Sequence, residues 1–248
     1  MPFKFDFFKK QRDEFIQQEV FAVYQPIVDI ATWDVFGYEA LARSEHEMPA
    51  EMFRKSYEKG TVIPLDFHCL EAAIKVLPKL QEGQNLFLNI EPLTLEQAFT
   101  QGKEGEVFLK HLREYSNKII FELTEGVKKS DFEFIRRGVD FIRTLGYRFA
   151  LDDLSDIGSK TFRLASLRPD FFKIDIQLIQ GISENYANQQ IVREMVHLGR
   201  MNGSEMIAEG IEQKTELDFI RHLGIRYGQG YYFAKPAREL IFSLSPAQ

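Results

Sequence analysis

The stretch Tyr147-Arg148-Phe149-Ala150-Leu151-Asp152-Asp153 is an apolar run launched from Gly146 and closed by two adjacent carboxylates. A strand buried on both faces has a near-continuous apolar body, and its polar tip meets solvent. The pattern recurs along the chain. Lys118-Ile119-Ile120-Phe121-Glu122 ends in a carboxylate, Leu86-Phe87-Leu88-Asn89 in an amide, and Glu205-Met206-Ile207-Ala208-Glu209 in a carboxylate. Phe171-Phe172-Lys173-Ile174-Asp175 carries an amine near its end. One carboxylate at a strand end is most often a helix cap or a surface ion pair. Five strands bringing oxygen donors and a lysine to one rim predict an active site.

Outward from this stretch the chain alternates between helix and strand. Phe21 to Val28 and Val35 to Leu41 read as strands, and the connection through Thr32-Trp33-Asp34 is too short for a helical crossover. These two form an antiparallel hairpin, with Pro26 at an edge or a bulge. Helical spacing covers Pro49 to Glu58, Leu65 to Leu80 and Glu104 to Tyr115. Ser130 and Glu133 have the spacing of a capping box before Ile135, Val139 and Ile142. Helix, glycine, strand then repeats at Gly146, Gly203 and Gly224, the pattern of βα units with parallel strands. Eight strands with polar tips throughout predict one closed TIM-like (βα)8 barrel with an antiparallel first strand, rather than an open sheet. The expected organisation is a lead-in over residues 1–19, a barrel domain over 20–240 and a tail over 241–248.

Over 248 residues the net charge is −6, with a pI of about 5.5. That argues against polymeric nucleic acid as a partner and leaves room for a small anion in a local basic cleft. Cys69 is the single cysteine, so an intrachain disulfide and a cysteine-rich zinc site are excluded. With no apolar signal region and no run long enough to span a bilayer, the expected location is the cytoplasm.

Glu39, Asn89, Glu122, Asp152, Asp153 and Glu209 form an all-oxygen donor set, suited to Mg²⁺ or Mn²⁺ and poorly suited to zinc. The five histidines fall in helices or loops. Two divalent ions bridged by a carboxylate suit phosphodiester hydrolysis, activating water and neutralising the leaving oxygen. Lys173 is placed to orient that water or hold a phosphate oxygen, and Arg43 to make a second phosphate contact.

Tyr38-Glu39-Ala40-Leu41-Ala42-Arg43 resembles the signature of EAL domains, the bacterial cyclic di-GMP phosphodiesterases. Further blocks follow in the family's order: Tyr24-Gln25-Pro26-Ile27, Leu88-Asn89-Ile90, Glu122-Leu123-Thr124-Glu125, Ala150-Leu151-Asp152-Asp153, Lys173-Ile174-Asp175, Ala208-Glu209-Gly210-Ile211-Glu212 and Gln229-Gly230-Tyr231. The resemblance implies a barrel with an antiparallel first strand and a metal-dependent phosphodiesterase that opens cyclic di-GMP to linear pGpG. It implies Glu39, Asn89, Glu122 and Asp152 as metal ligands, with Asp153 and Glu209 on a second ion. Lys173 then positions the attacking water, with Glu209 also cast as general base, while Gln229 supports the metal-bound water. Gln25 and Arg43 contact the dinucleotide.

The chain departs from the pattern in one loop. Where the family continues Phe-Gly-Thr-Gly-Tyr-Ser-Ser after the two aspartates, it reads Leu154-Ser155-Asp156-Ile157-Gly158-Ser159-Lys160. In the family this loop is held by the glutamate matching Glu125 and links the metal site to homodimerisation. Ser44 also replaces a common Trp. Intact ligands and Lys173 favour the enzyme; the altered loop favours a catalytically weak receptor, or an interaction module with an unidentified protein partner.

Overall fold

The fold opens on a hairpin of two ten-residue strands. Strands β1 (Val20–Asp29) and β2 (Val35–Ser44) pair antiparallel from Val20–Ser44 to Val28–Val35. The computed structural model describes residues 20–98, 103–124 and 132–244. Residues 1–19, Glu125, Ser130 and residues 245–248, which carry expectations above, lie outside them.

Six further strands complete the barrel: β3 (Asn85–Asn89), β4 (Ile119–Thr124), β5 (Arg148–Leu154), β6 (Phe171–Ile174), β7 (Glu205–Ala208) and β8 (Tyr227–Gly228). They close in sequence order, parallel from β2 round to β8, and β8 meets β1 antiparallel. The expected barrel with an inverted first strand is what forms. The helices are α1 (Pro49–Lys59), α2 (Val62–Ala73), α3 (Lys103–His111), α4 (Phe132–Thr144), α5 (Ser159–Ala165), α6 (Ile176–Ile179), α7 (Tyr186–Asn202) and α8 (Lys214–His222).

Local chemistry accounts for the joints. Helix α4 buries Ile135, Gly138, Val139 and Ile142, one stripe at helical spacing. Gly146 (φ 88°) and Gly203 (φ 72°) take the left-handed conformation that ends α4 and α7, which glycine adopts without steric cost. The helix expected over Leu65–Leu80 is shorter: α2 stops at Ala73 and a 3₁₀ helix runs from Ile74 to Lys79. Pro78 lies in that segment, with no N–H to give and a ring that crowds the preceding turn. Pro26 is not on an edge, because the barrel closes. The β1–β2 register shifts one residue later, between Ile27 and Val28. Tyr24 bonds Ala237 through both its N–H and its carbonyl. Pro26 faces the same side by strand periodicity, where β8 reaches only Val28 and Asp29.

Inside the barrel a complete rung is apolar. Ile27, Phe87, Ile120, Ala150, Phe171, Ile207 and Tyr227 are buried together, with Phe36 packed against them. Phe36 stacks on Tyr227 at 4.1 Å and 26°, and Phe87 meets Phe171 edge-on at 5.6 Å. Each buried ring contributes about 1.5–3 kcal/mol from apolar burial. This rung plugs the barrel and is the floor of the site.

Candidate active site

One strand period beyond the apolar rung, the inward residues become polar. Phe87 leads to Asn89, Ile120 to Glu122, Ala150 to Asp152, Phe171 to Lys173, Ile207 to Glu209 and Tyr227 to Gln229. β1 runs the other way, so its contribution, Gln25, comes two residues before Ile27 and pairs in register with Glu39. Side chains two apart on a strand share a face, so this alternation fixes which residues point inward. Glu39 sits in the middle of β2 rather than at its end. The pairing of β2 with β3 stops at Ala40–Leu88, so Glu39 still lies at the barrel's mouth.

Lys173 is the centre of the cluster. Its side chain is 0% exposed, and Nζ lies 2.7 Å from Glu209, 2.9 Å from Glu122, 2.9 Å from Asp152 and 3.4 Å from Glu39. Burial alone would lower the ammonium pKa, but the surrounding carboxylates outweigh it and hold Lys173 well above its usual value. An isolated lysine would keep its head in water; here four carboxyl groups replace that water.

The carboxylates divide into two kinds. Burial raises Glu39, but Lys173 outweighs it, together with hydrogen bonds from Gln229 and Asn89, and the net shift is downward. Gln229 Nε2 donates to Glu39 Oε2 at 2.7 Å and to Gln25 Oε1 at 3.1 Å. Asn89 Nδ2 donates to Glu39 Oε1 at 3.1 Å, leaving its Oδ1 as the ligand-type atom. Gln25 is held in turn by the Ala234 carbonyl at 3.2 Å. Glu122 and Glu209 are pushed well above the ordinary carboxylate range by burial against neighbouring charges, and Asp152 is raised for the same reason.

Asp153 breaks the alternation. It adopts φ 56°, and the β5–β6 register slips between Leu151 and Leu154. Successive strand residues normally point to opposite faces. The bulge instead lets Asp152 and Asp153 converge with Glu209, all three within 4.8 Å of one another through one oxygen each. Burial and the neighbouring Asp152 charge push Asp153 up to about 6.

The donor set fits hard divalent cations. Glu39, Glu122 and Asp152 bring one oxygen each within the same 4.8 Å limit. Glu122 Oε1 and Asp152 Oδ1 each lie 2.9 Å from Lys173 Nζ, and Glu122 Oε2 is buried without a hydrogen-bond partner. Five carboxylates face one ammonium, and an uncompensated buried carboxylate is costly. A divalent cation would supply the missing positive charge.

One expected site residue, Arg43, stands apart from this cluster. Arg43 is four residues beyond Glu39 on β2, roughly 13 Å along the strand, with Nη1 donating to the Ala42 carbonyl at 2.8 Å. Asp175 is no part of the mouth; it caps α6 through Gln177 N–H at 2.6 Å. The divergent loop is braced by its own side chains. Asp156 Oδ1 accepts from Gly158 N–H at 2.9 Å and from the buried Thr161 hydroxyl at 3.2 Å. Sequence reasoning missed Glu216, a buried carboxylate behind the mouth; its only signal was its place three residues after Gln213.

A closed (βα)8 barrel with an inverted first strand and a lysine-centred acidic mouth defines the class. The chain belongs to the EAL domain family, which it matches over residues 9–236. It is similar to a standalone EAL protein of Vibrio cholerae O395 solved with cyclic di-GMP bound, with TM-score 0.79 and 27% identity, covering 92% of this chain and 97% of that one. A cyclic di-GMP phosphodiesterase of Escherichia coli K12, PdeF, is 26% identical over 224 residues, 87% of this chain and 30% of that protein. The manganese and cyclic di-GMP complex of Klebsiella pneumoniae BlrP1 superposes with TM-score 0.75 at 25% identity, over 89% of this chain and 57% of that one. The chain spans between 24 and 56% of the length of the curated relatives it matches. Among the described residues no helix is long and apolar enough to cross a membrane.

Proposed function

We propose that the protein is a metal-dependent phosphodiesterase that hydrolyses cyclic di-GMP to linear pGpG, using two Mg²⁺ or Mn²⁺ ions. The observation that carries this reading is the Lys173 ammonium buried among Glu39, Glu122, Asp152 and Glu209, with more carboxylates than the one cation can balance. A module for protein contact alone has no use for so costly a cluster.

Glu39, Asn89, Glu122 and Asp152 would hold one ion, and Asp153 and Glu209 would join Asp152 on the second. Bound ions of this kind lower the pKa of water and neutralise charge on the leaving oxygen. In the proposed reaction Lys173 orients the attacking water, and Glu209 takes its proton. The water oxygen bonds to phosphorus, the P–O3′ bond breaks, and the freed 3′ oxygen takes up a proton. Gln229 holds Glu39 in place and supports the metal-bound water, while Gln25 and Arg43 contact the dinucleotide. The reaction would run in the cytoplasm, and homodimerisation through the 154–160 loop belongs to the same reading.

A second reading rests on that loop, whose brace from Asp156 to Thr161 departs from the family's glycine-rich form: a receptor that binds cyclic di-GMP with little turnover. The experiment is incubation with cyclic di-GMP and Mg²⁺ or Mn²⁺, followed by chromatography of the products. Linear pGpG supports the enzyme. Bound but intact ligand points to the receptor, and no binding leaves an interaction module.

A further inference from the structure

We propose that Glu216 is a positioning residue for the Lys173, Glu209 and Gln229 side of the mouth; the inference rests on the metal-site reading above. Glu216 lies in the first turn of α8, is 2% exposed, and its carboxylate gathers three backbone N–H groups. Oε1 accepts from Gly181 at 2.8 Å; Oε2 accepts from Glu212 at 2.9 Å and Gln213 at 3.0 Å. Gln213 and Glu216 form a reciprocal capping box, which accounts for the bond to Gln213. The bond to Gly181, 35 residues away, is no part of a helix cap. Gly181 belongs to the connection after β6, which carries Lys173, and Glu212 to the connection after β7, which leads out of Glu209. One buried carboxylate fastens both.

Two close contacts carry this fastening inward. Gly210, next to Glu209, is pressed against Ile176, the first residue of α6; a Cβ there would lie 2.0 Å from Ile176 Cγ1. Ile211 donates its N–H to the Gln229 carbonyl at 3.0 Å and accepts from Tyr232 N–H at 2.9 Å. Gly230 packs so tightly on Ile211 that a Cβ would sit 2.1 Å from its carbonyl oxygen. Such packing has no slack to absorb a shift, so movement of Glu212 or Gly181 reaches Glu209, Gln229 and the Lys173 strand end. Groups that orient metal ligands from behind typically change metal affinity by about 10–100-fold when removed.

The test is titration of the full chain with Mn²⁺ alone, reading free Mn²⁺ by electron paramagnetic resonance at a temperature where circular dichroism shows every variant folded. Glu216→Ala should weaken half-saturation about tenfold. Glu216→Gln should weaken it less, because its single oxygen must serve three donors. Ser204→Ala is the control: Ser204 Oγ donates to the Pro169 carbonyl at 2.6 Å at the opposite end of the barrel, so it should lower Tm and leave Mn²⁺ affinity unchanged. Wild-type affinity in both Glu216 variants, with only Tm lowered, overturns the proposal and reduces Glu216 to a helix cap. If Glu216→Ala fails to fold, wild-type affinity in Glu216→Gln overturns it alone. Absence of Mn²⁺ binding at millimolar metal in the wild type overturns it as well. A wild type that binds Mn²⁺ yet leaves cyclic di-GMP intact defeats the hydrolase reading, and the Mn²⁺ titration still decides the role of Glu216.

Discussion

The rung of Ile27, Phe87, Ile120, Ala150, Phe171, Ile207 and Tyr227 and the rung of Gln25, Asn89, Glu122, Asp152, Lys173, Glu209 and Gln229 lie two residues apart around the same barrel. The first is apolar, interlocked by edge-on and stacked rings, and gains free energy from every side chain it hides. The second hides Glu122 and Lys173 just as completely and sets several negative charges against one positive. Desolvating ions costs more than their attraction returns unless geometry and partners are complete. The floor therefore stabilises the barrel, and the mouth draws on that stability. Experiments that separate the two rungs test this division.

The largest effect should come from metal removal. Chelation is expected to abolish turnover, with Mg²⁺ or Mn²⁺ restoring it, while the far-ultraviolet circular dichroism of the floor-supported barrel stays unchanged. Ca²⁺ should bind and inhibit, because it prefers longer bonds and looser geometry. Full turnover in excess EDTA would remove the metal from the proposal.

Next in size is a crossed comparison of single variants. Lys173→Ala and Glu39→Ala should each lower turnover by on the order of 10²-fold or more, as loss of a positioning group commonly does. Phe171→Ala should act on the other rung, costing about 3–5 kcal/mol of stability and lowering Tm. Measured together by thermal melts and product formation, the three should sort into two classes. A Lys173→Ala variant with wild-type turnover, or a Phe171→Ala variant with wild-type Tm, would dissolve the distinction between floor and mouth.

A smaller effect concerns pH and a group behind the rim. Asp66 on α2 accepts the Glu91 N–H at 3.0 Å, two residues past Asn89. Burial, with the Glu91 charge adding, pushes its carboxyl up to about 7. Raised above its unfolded value of about 3.9, it makes the folded state hold a proton that the unfolded chain has released. Its contribution is thus full below about pH 4 and is lost as pH rises to about 7. Asp66→Asn should flatten that part of the stability–pH curve, measured by denaturant unfolding between pH 4 and 8. An unchanged slope would show that Asp66 does not titrate in this window.

The alternation of apolar body and polar tip was legible in the sequence because strand periodicity is local: from Phe149 to Asp152 the chain spells out its own burial. The same periodicity, taken at face value, sends Asp152 and Asp153 to opposite faces. Only the slip between β5 and β6, with φ 56° at Asp153, brings them together, and a bulge depends on the neighbouring strand. Asp175 is placed by local chemistry instead: it follows Lys173 at a strand end, where the chain turns into α6 and the carboxylate is consumed as a cap. Lys173 alone reads as a surface side chain; its burial is set by Glu39, Glu122 and Glu209, which are distant in sequence. Glu216 was invisible because its decisive partner, Gly181, is reached only after the barrel closes.

The smallest expected effect, and the sharpest test of how the floor hands over to the mouth, lies in the loop Leu154 to Lys160. β5 does not stop at the aspartates: Leu154 pairs with Ile174 and accepts from Asp175 N–H at 3.1 Å. The loop backbone is anchored just after Asp153, and Asp156 then closes it onto Gly158 and Thr161. This brace differs from the glycine-rich loop of the family, and it sits directly behind two proposed ligands. A two-metal site needs its ions about 3.5–4 Å apart, so a small rotation of Asp152 or Asp153 is enough to weaken the second ion. Turnover should accordingly be low at modest Mg²⁺ and rise with Mn²⁺ or with a dimer contact that orders the loop. Replacing residues 154–160 by Phe-Gly-Thr-Gly-Tyr-Ser-Ser should raise turnover with little change in cyclic di-GMP affinity, because Gln25 and Arg43 lie on the opposite hairpin. Turnover and binding are followed separately across a metal titration for both versions. Equal turnover at every metal concentration would show that the Asp156 brace holds the two aspartates as well as the family's loop does.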